Sequence, residues 1–272
     1  MDGMHIRTPS RQAFTLLELL MVVAIIAILT SMVIVLVAQT GERARRVLCA
    51  SNLRQWSMGI IAFAYDHHGL VPSTCRLSDM DPCPNVIFSK RAAAPRETSL
   101  NAEDMIQYLD GGEGLAGVDK FTQTNLAGIW NCPSATWTKY GGWGDSGGTD
   151  ALHWGYSYFG RVSEWKDHRG TDYGANRATD LTDRRLEANR LLFSDALFIW
   201  EGNFRDGNWM YNHTRSVTRN WDGTLAQLAG MNQALGDGSV RWKDGNQFDY
   251  AAMQARDSGV PRVKSDDLLT YY

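Results

Sequence analysis

With 272 residues, the chain has room for one membrane-spanning helix and one or two globular domains. Its net charge of −3 gives no electrostatic case for nucleic acid as a partner. The apolar residues are unevenly spread, and their longest run lies close to the N-terminus.

Residues 1–13, MDGMHIRTPSRQA, form a short polar leader that carries Arg7 and Arg11. Residues 14–38, FTLLELLMVVAIIAILTSMVIVLVA, are apolar except for one charge, Glu18. At the helical rise this run is ~37 Å long, enough to cross the ~30 Å hydrocarbon core with some tilt. It exceeds the apolar region of a secretory signal peptide, roughly 7–15 residues, so a transmembrane helix is predicted over 14–38. A carboxylate inside such a helix costs about 2.5–3.5 kcal/mol on insertion scales. Read alone, Glu18 is either an acid that is protonated or snorkels to the headgroups, or one that has a partner.

The order of a basic leader, a small residue, Phe14, Thr15, Leu16, Leu17, Glu18 and then an unbroken apolar stretch resembles the type IV prepilin family, including the pseudopilins of type II secretion. The resemblance covers residues 13–36. It implies that a prepilin peptidase cuts on the cytoplasmic face between Ala13 and Phe14 and methylates the new amino group of Phe14. Glu18 becomes the fifth residue of the mature chain, where the family pairs it with the N-terminal amine of a neighbouring subunit. An ammonium and a carboxylate offset each other's desolvation only when packed together, which favours assembly over the free subunit in lipid. The family usually has Gly before the cut, and Ala13 stands there in this chain. Alanine is also small, so cleavage is expected at a lower rate.

Residues 39–68 continue the helix. Cys49, Leu53, Trp56, Ile60 and Phe63 alternate at four and three spacing and form one apolar stripe, with Arg54, Gln55 and Asp66 turned away. The stripe reads as core packing against a globular body over 69–272, and Gly69 is the expected helix stop. Arg43, Arg45 and Arg46 beyond the apolar run would place this body in the cytoplasm under the positive-inside rule. Arg7 and Arg11 in the leader argue the reverse, and the prepilin resemblance requires the reverse. The expected location is therefore the cytoplasmic (inner) membrane, single pass, with the body in the periplasm or at the cell surface.

Pro72, Pro82, Pro84 and Pro95 mark an irregular loop that contains Cys75 and Cys83. In an oxidising compartment these two suit a disulfide, leaving Cys49 and Cys132 as the other pair, which would tie the helix to the body. Four cysteines allow three pairings, and spacing only ranks them. A zinc site competes with this reading, but no paired CxxC or HxxxH spacing occurs. LNAEDMIQYL, at 100–109, reads as a short helix capped by Asn101 and stopped by Gly111 and Gly112. Beyond it GIWNC, HWGYSYFGRV, NRLLFSDALFIW and GNWMYN are short, aromatic or β-branched segments separated by glycine and aspartate, as in antiparallel strands. The expected fold is α+β and pilin-like: a long N-terminal helix packed on an antiparallel β-sheet body.

Gly236, Asp237 and Gly238 between MNQAL and SVRW predict a tight hairpin. This end of the chain is similar to that of large prepilin-like proteins, which carry a histidine, a nine-residue spacer and Asp-Gly. Asn232, Asp237 and Gly238 match that element, as do Cys49, Asn52, Leu53, Arg54 and Gln55 in CxxNLRQ and the Cys-Pro-Ser at Cys132. Gln227 occupies the histidine position. His213 takes its place if 216–226 is an inserted loop.

His153, His168, His213, Ser194, Asp195, Asp206 and Asp237 are ingredients for acid and base work, but no GxSxG, HExxH or phosphate-cradling glycine loop orders them, so no enzyme is expected. Trp130, Trp137, Trp143, Trp154 and Trp165 crowd one glycine-rich region. Burial is expected for most, with Trp137 and Trp143 on an exposed loop. Asp145, Ser146 and Asp150 in that loop are oxygen donors for calcium, without EF-hand spacing. The leading expectation is a structural subunit of a pseudopilus or pilus-like filament, with prepilin peptidase, other pilin-like subunits and the membrane as partners. The alternative is a membrane-anchored module that binds glycan or an envelope partner through its tryptophan-rich loops.

Overall fold

The first helix begins at a capping box. Thr15 N–H and Oγ1 both donate to Glu18 Oε2, at 2.9 and 3.0 Å, and Glu18 N–H donates to Thr15 Oγ1 at 3.2 Å. Thr-x-x-Glu thus satisfies donors that a helix start leaves open. The computed structural model describes residues 15–74, 84–88, 100–109, 128–135, 151–160, 186, 188–200, 209–215, 227–255, 262–264 and 268–271. The chain divides into two compact units, Met1–Gly41 and Glu42–Tyr272.

Helix α1 covers Leu16–Asp66. In the first unit, Leu16–Val33 is long and apolar enough to cross a membrane, ~27 Å at the helical rise, and none of it is buried. Its hydroxyls bond to its own backbone: Thr30 Oγ1 donates to Ile26 O at 2.8 Å and Ser31 Oγ to Ile28 O at 2.7 Å. Hydrocarbon offers no other acceptor, so this pairing suits a lipid-facing helix.

In the second unit the apolar stripe enters the core. Cys49, Leu53, Trp56 and Ile60 are fully buried, Phe63 is half-buried, and Arg54 and Asp66 are exposed. Gln55, expected to turn away, is half-buried at the edge of the stripe. The helix ends with His68 and Gly69 at φ 57° and 83°, and Gly69 N–H reaches back to Ala64 O at 2.7 Å. That bond and the left-handed pair form a Schellman-type stop, at the glycine the sequence marks for it.

Strands β1 (Val86–Phe88) and β2 (Ala151–His153) pair with each other. Between them, α2 (Ala102–Met105) is capped by Asn101, which accepts from Asp104 N–H, and runs into a 3-10 turn at Ile106–Tyr108. One antiparallel sheet joins β3 (Tyr156–Tyr158), β4 (Leu191–Asp195), β8 (Leu228–Leu235) and β7 (His213–Thr214), with β9 (Val240–Asp244) also on β8. Another joins β10 (Arg262–Lys264), β11 (Leu268–Tyr271), β5 (Leu197–Trp200) and β6 (Trp209–Tyr211). Helix α3 (Tyr250–Gln254) follows β9.

Three apolar segments change sheet partway along. HWGYSYF breaks at Trp154 and Gly155, LLFSDALFIW at Ala196, and WMYNHT at Asn212. The breaks meet at one level: Ala196 N–H donates to Gly155 O at 3.1 Å, and Asn212 Nδ2 donates to the same carbonyl. A side chain at Gly155 would meet Asn131 Oδ1 at 2.9 Å and Cys132 Cβ at 3.0 Å, so the corner is built too closely for one. Asp195 and His213 flank this corner on adjacent segments.

GIWNC, expected as a strand, is instead a 3-10 turn at Gly128–Trp130. Helix side chains take its carbonyls in place of a neighbouring strand. Trp56 Nε1 donates to Ile129 O at 2.8 Å, and Asn52 Nδ2 to Gly128 O and Asn131 O at 3.2 Å each. Gly128 itself sits at φ 64°.

The main core is aromatic. Trp56 stands edge-on to Trp130 and Trp154, with centroids at 5.1 and 4.7 Å, and Phe193 lies at 5.9 Å. Trp130 and Trp154 are therefore core residues. Trp137, Trp143 and Trp165 lie outside the described residues.

Candidate functional site

The hairpin joining β8 to β9 turns through Gly236, Asp237 and Gly238. Gly238 N–H donates to Leu235 O at 3.0 Å, and Ser239 N–H donates to Asp237 Oδ1 at 2.8 Å. Gly238 is left-handed, φ 79°, and a Cβ there would come within 2.9 Å of Met58 Sδ on α1. The Asp-Gly pair thus serves a turn packed against the helix. Asp237 is exposed and its carboxyl is pulled below the usual range by its bonds to Ser239, the ordinary behaviour of a turn aspartate.

Higher on β8, Asn232 N–H and Nδ2 donate to Asp195 Oδ2 at 2.6 and 2.8 Å, and Nδ2 also reaches Arg46 O at 3.2 Å. On the other side of that carboxylate stands His213. Its Nε2 is 3.0 Å from Asp195 Oδ2 and its Nδ1 is 2.8 Å from Glu42 Oε1. Glu42 Oε2 pairs with Arg45 Nη2 at 2.9 Å, and Ser134 Oγ lies 3.4 Å from both Glu42 oxygens. Cys49 and Cys132 form a disulfide, and the Cys132 sulfur is 3.9 Å from His213 Nε2. Trp242 closes the group, edge-on to His213 at 5.5 Å and under the Arg46 guanidinium at 4.5 Å.

Pieces scattered along the sequence therefore converge. Asn52 of CxxNLRQ also donates to Tyr156 Oη at 3.0 Å. His213 joins the C-terminal element directly, since it pairs with Gly230 on β8, whereas Gln227 is half-buried at the strand's start. Residues 216–226, read as an insertion, lie outside the described residues, as do Ala13, Phe14, Cys75, Cys83, His168, Asp206 and the calcium donors Asp145, Ser146 and Asp150.

Burial alone would push the His213 imidazole down. The carboxylates of Asp195 and Glu42, one on each nitrogen, outweigh it and hold the ring up at about 8. Glu42 loses water too, yet His213 and Arg45 pull its carboxyl below the usual range. His213 is 0% exposed and Asp195 1% exposed, so the imidazolium lies between two carboxylates with no face open to a substrate. The arrangement fastens the helix to the sheet. It is not laid out to receive a substrate.

Such a centre links protons to stability. A histidine raised from 6.5 to about 8 stabilises the fold fully below pH 6.5, and that contribution disappears as pH rises through about 8. Glu42, whose carboxyl is lowered, stays ionised across this window. The oxidised protein is expected to lose about 2 kcal/mol between pH 6.5 and about 9, seen as a falling melting temperature that His213→Gln flattens.

Residues 8–34 match the family model described as the prokaryotic N-terminal methylation motif, the signal of prepilins and pseudopilins. The match takes in Ala13, Phe14 and Glu18 and ends well before the C-terminal element. No curated protein and no solved structure matches the chain. The motif and the apolar helix behind it fit a protein anchored in the inner membrane.

Proposed function

We propose that this chain, whose N-terminus carries the prepilin methylation motif, is a structural subunit that assembles into a type II secretion pseudopilus or a type IV pilus-like filament. A prepilin peptidase removes residues 1–13, the amine of Phe14 is methylated, and the body comes to lie in the periplasm or at the cell surface. The observation that carries this reading is the coincidence of the motif at 8–34 with a helix apolar on every side and buried on none. In a bundle of such helices, that surface meets its like. The buried Glu42–His213–Asp195 centre supports a structural subunit as well, because its groups face one another.

Glu18 has two parts in this account. In the free chain it completes the cap with Thr15. In the filament it receives the Phe14 amine of the next subunit, an acceptor role that a carboxylate fills and an amide fills poorly. Glu18→Gln is therefore expected to leave processing and membrane insertion intact and to abolish sheared or cross-linked filaments. Filaments at wild-type levels from Glu18→Gln would remove Glu18 from assembly, and a wild-type chain that is processed but enters no filament would favour an anchored module that acts alone.

A further inference from the structure

The geometry points to a second form of the buried centre: with its disulfide reduced, the chain binds one zinc ion through Cys49, Cys132, His213 and Asp195. The ligand atoms of these four residues lie within 4.8 Å of one another, and all four residues are buried. Tetrahedral zinc with two sulfurs, a nitrogen and an oxygen needs ligand separations of about 3.3–3.8 Å. Cys132 Sγ and His213 Nε2 already stand 3.9 Å apart, and His213 Nε2 and Asp195 Oδ2 3.0 Å apart. The two sulfurs must separate by side-chain rotation once their bond is broken, and His213 Nε2 and Asp195 Oδ2 must move apart by a few tenths of an ångström.

Two features beyond the cluster itself point to a cation. Asp195 Oδ1 is buried with no hydrogen-bond partner among the described residues, while Oδ2 takes the donors from Asn232 and His213. An orphaned carboxylate oxygen at such a centre is costly unless something positive meets it. His213 is also held as zinc-ligating histidines are, because Nδ1 faces Glu42 at 2.8 Å, which fixes Nε2 as the ligand atom and raises its basicity.

The chemistry balances with a dithiol reductant. The dithiol gives two electrons and two protons to the Cys49–Cys132 bond and is itself oxidised to a disulfide. Zinc then displaces both thiol protons and the Nε2 proton of His213 to solvent. Two thiolates and one carboxylate around the ion leave one negative charge, beside Arg45 and Arg46. In an oxidising compartment the disulfide holds the helix, and under reducing conditions zinc holds the same four residues together.

The test uses the full chain in detergent, with Cys75→Ser and Cys83→Ser to remove other thiols, reduced by a phosphine and titrated with cobalt and then zinc. The expected result is one metal per chain, with a thiolate-to-cobalt charge-transfer band and the intense visible bands of four-coordinate cobalt. Zinc should bleach both and raise the melting temperature of the reduced chain. Glu42→Gln should weaken metal affinity by about 10- to 100-fold while keeping the ligands, and Cys49→Ser should abolish the charge-transfer band. A reduced, folded chain that gives no such band would overturn the proposal, and so would a band indifferent to Cys49→Ser. If reduction itself unfolds the body, recovery of a cooperative melt on adding zinc supports the site, and failure to recover it counts against the site.

Discussion

Replacing Cys49 and Cys132 together by serine is expected to cost the body about 4 kcal/mol in metal-free buffer. The bond joins residues 83 apart, and closing a loop of that size removes roughly this much chain entropy from the unfolded state. The loss is large for this chain because the disulfide ties α1 to the segment whose 3-10 turn meets Trp56 and Asn52. Without it, the turn at Gly128–Trp130 is held to the helix mainly by those side-chain bonds and by the edge contact of Trp56 with Trp130. Denaturant unfolding of the oxidised chain in detergent, followed by tryptophan emission, measures the change directly. The buried ring cluster gives the signal. A shift below about 1 kcal/mol would mean that the aromatic contacts alone hold the helix in place.

Removal of the Asp195 carboxylate is expected to cost a similar amount, about 3–5 kcal/mol for Asp195→Ala. One oxygen serves the Asn232 N–H, the Asn232 amide and His213 Nε2 within 3.0 Å. Alanine leaves these donors facing a cavity, and it leaves the imidazolium with Glu42 alone. Asp195→Asn keeps the shape and one acceptor, so it should cost less, and it should lower the His213 pKa because a charge is lost. The two variants are therefore separated by the pH profile as well as by the midpoint of unfolding. Combining Asp195→Asn with His213→Gln should cost less than the sum of the single changes, since the two residues share one interaction.

Much of this could be read from the residues in order. The four-and-three spacing of Cys49, Leu53, Trp56 and Ile60 identified the buried face of the helix, because a stripe of that width has to be covered. Gly69 and the Gly236–Asp237–Gly238 turn were legible for backbone reasons that hold in any fold. The sheet changes at Gly155, Ala196 and Asn212 are not legible, because each segment is strand-like on both sides of its break and nothing local says that its two halves pair with different strands. GIWNC misled for a related reason. Its apolar residues are buried as strand residues are, but side chains from α1 take its carbonyls.

The sequence offers Asp195 and His213 as ingredients but does not pair them, and it gives no sign that Glu42 joins them. Asp195 lies inside an apolar run, LLFSDALFIW, where a charge needs a partner, and that alone marks it out from a loose polar residue. Glu42 stands among the arginines of GERARR, and its spacing to Arg45 and Arg46 puts three charges on one helix face. Thr15 and Glu18 form a capping box that the sequence states openly.

The proposed function requires that the chain is processed as a prepilin. It is tested by the N-terminal sequence and intact mass of the protein recovered from membranes of cells that contain a prepilin peptidase. The account predicts a chain that begins at N-methylated Phe14, shortened by residues 1–13. A chain that still begins at Met1, in cells whose peptidase processes another prepilin, would contradict it.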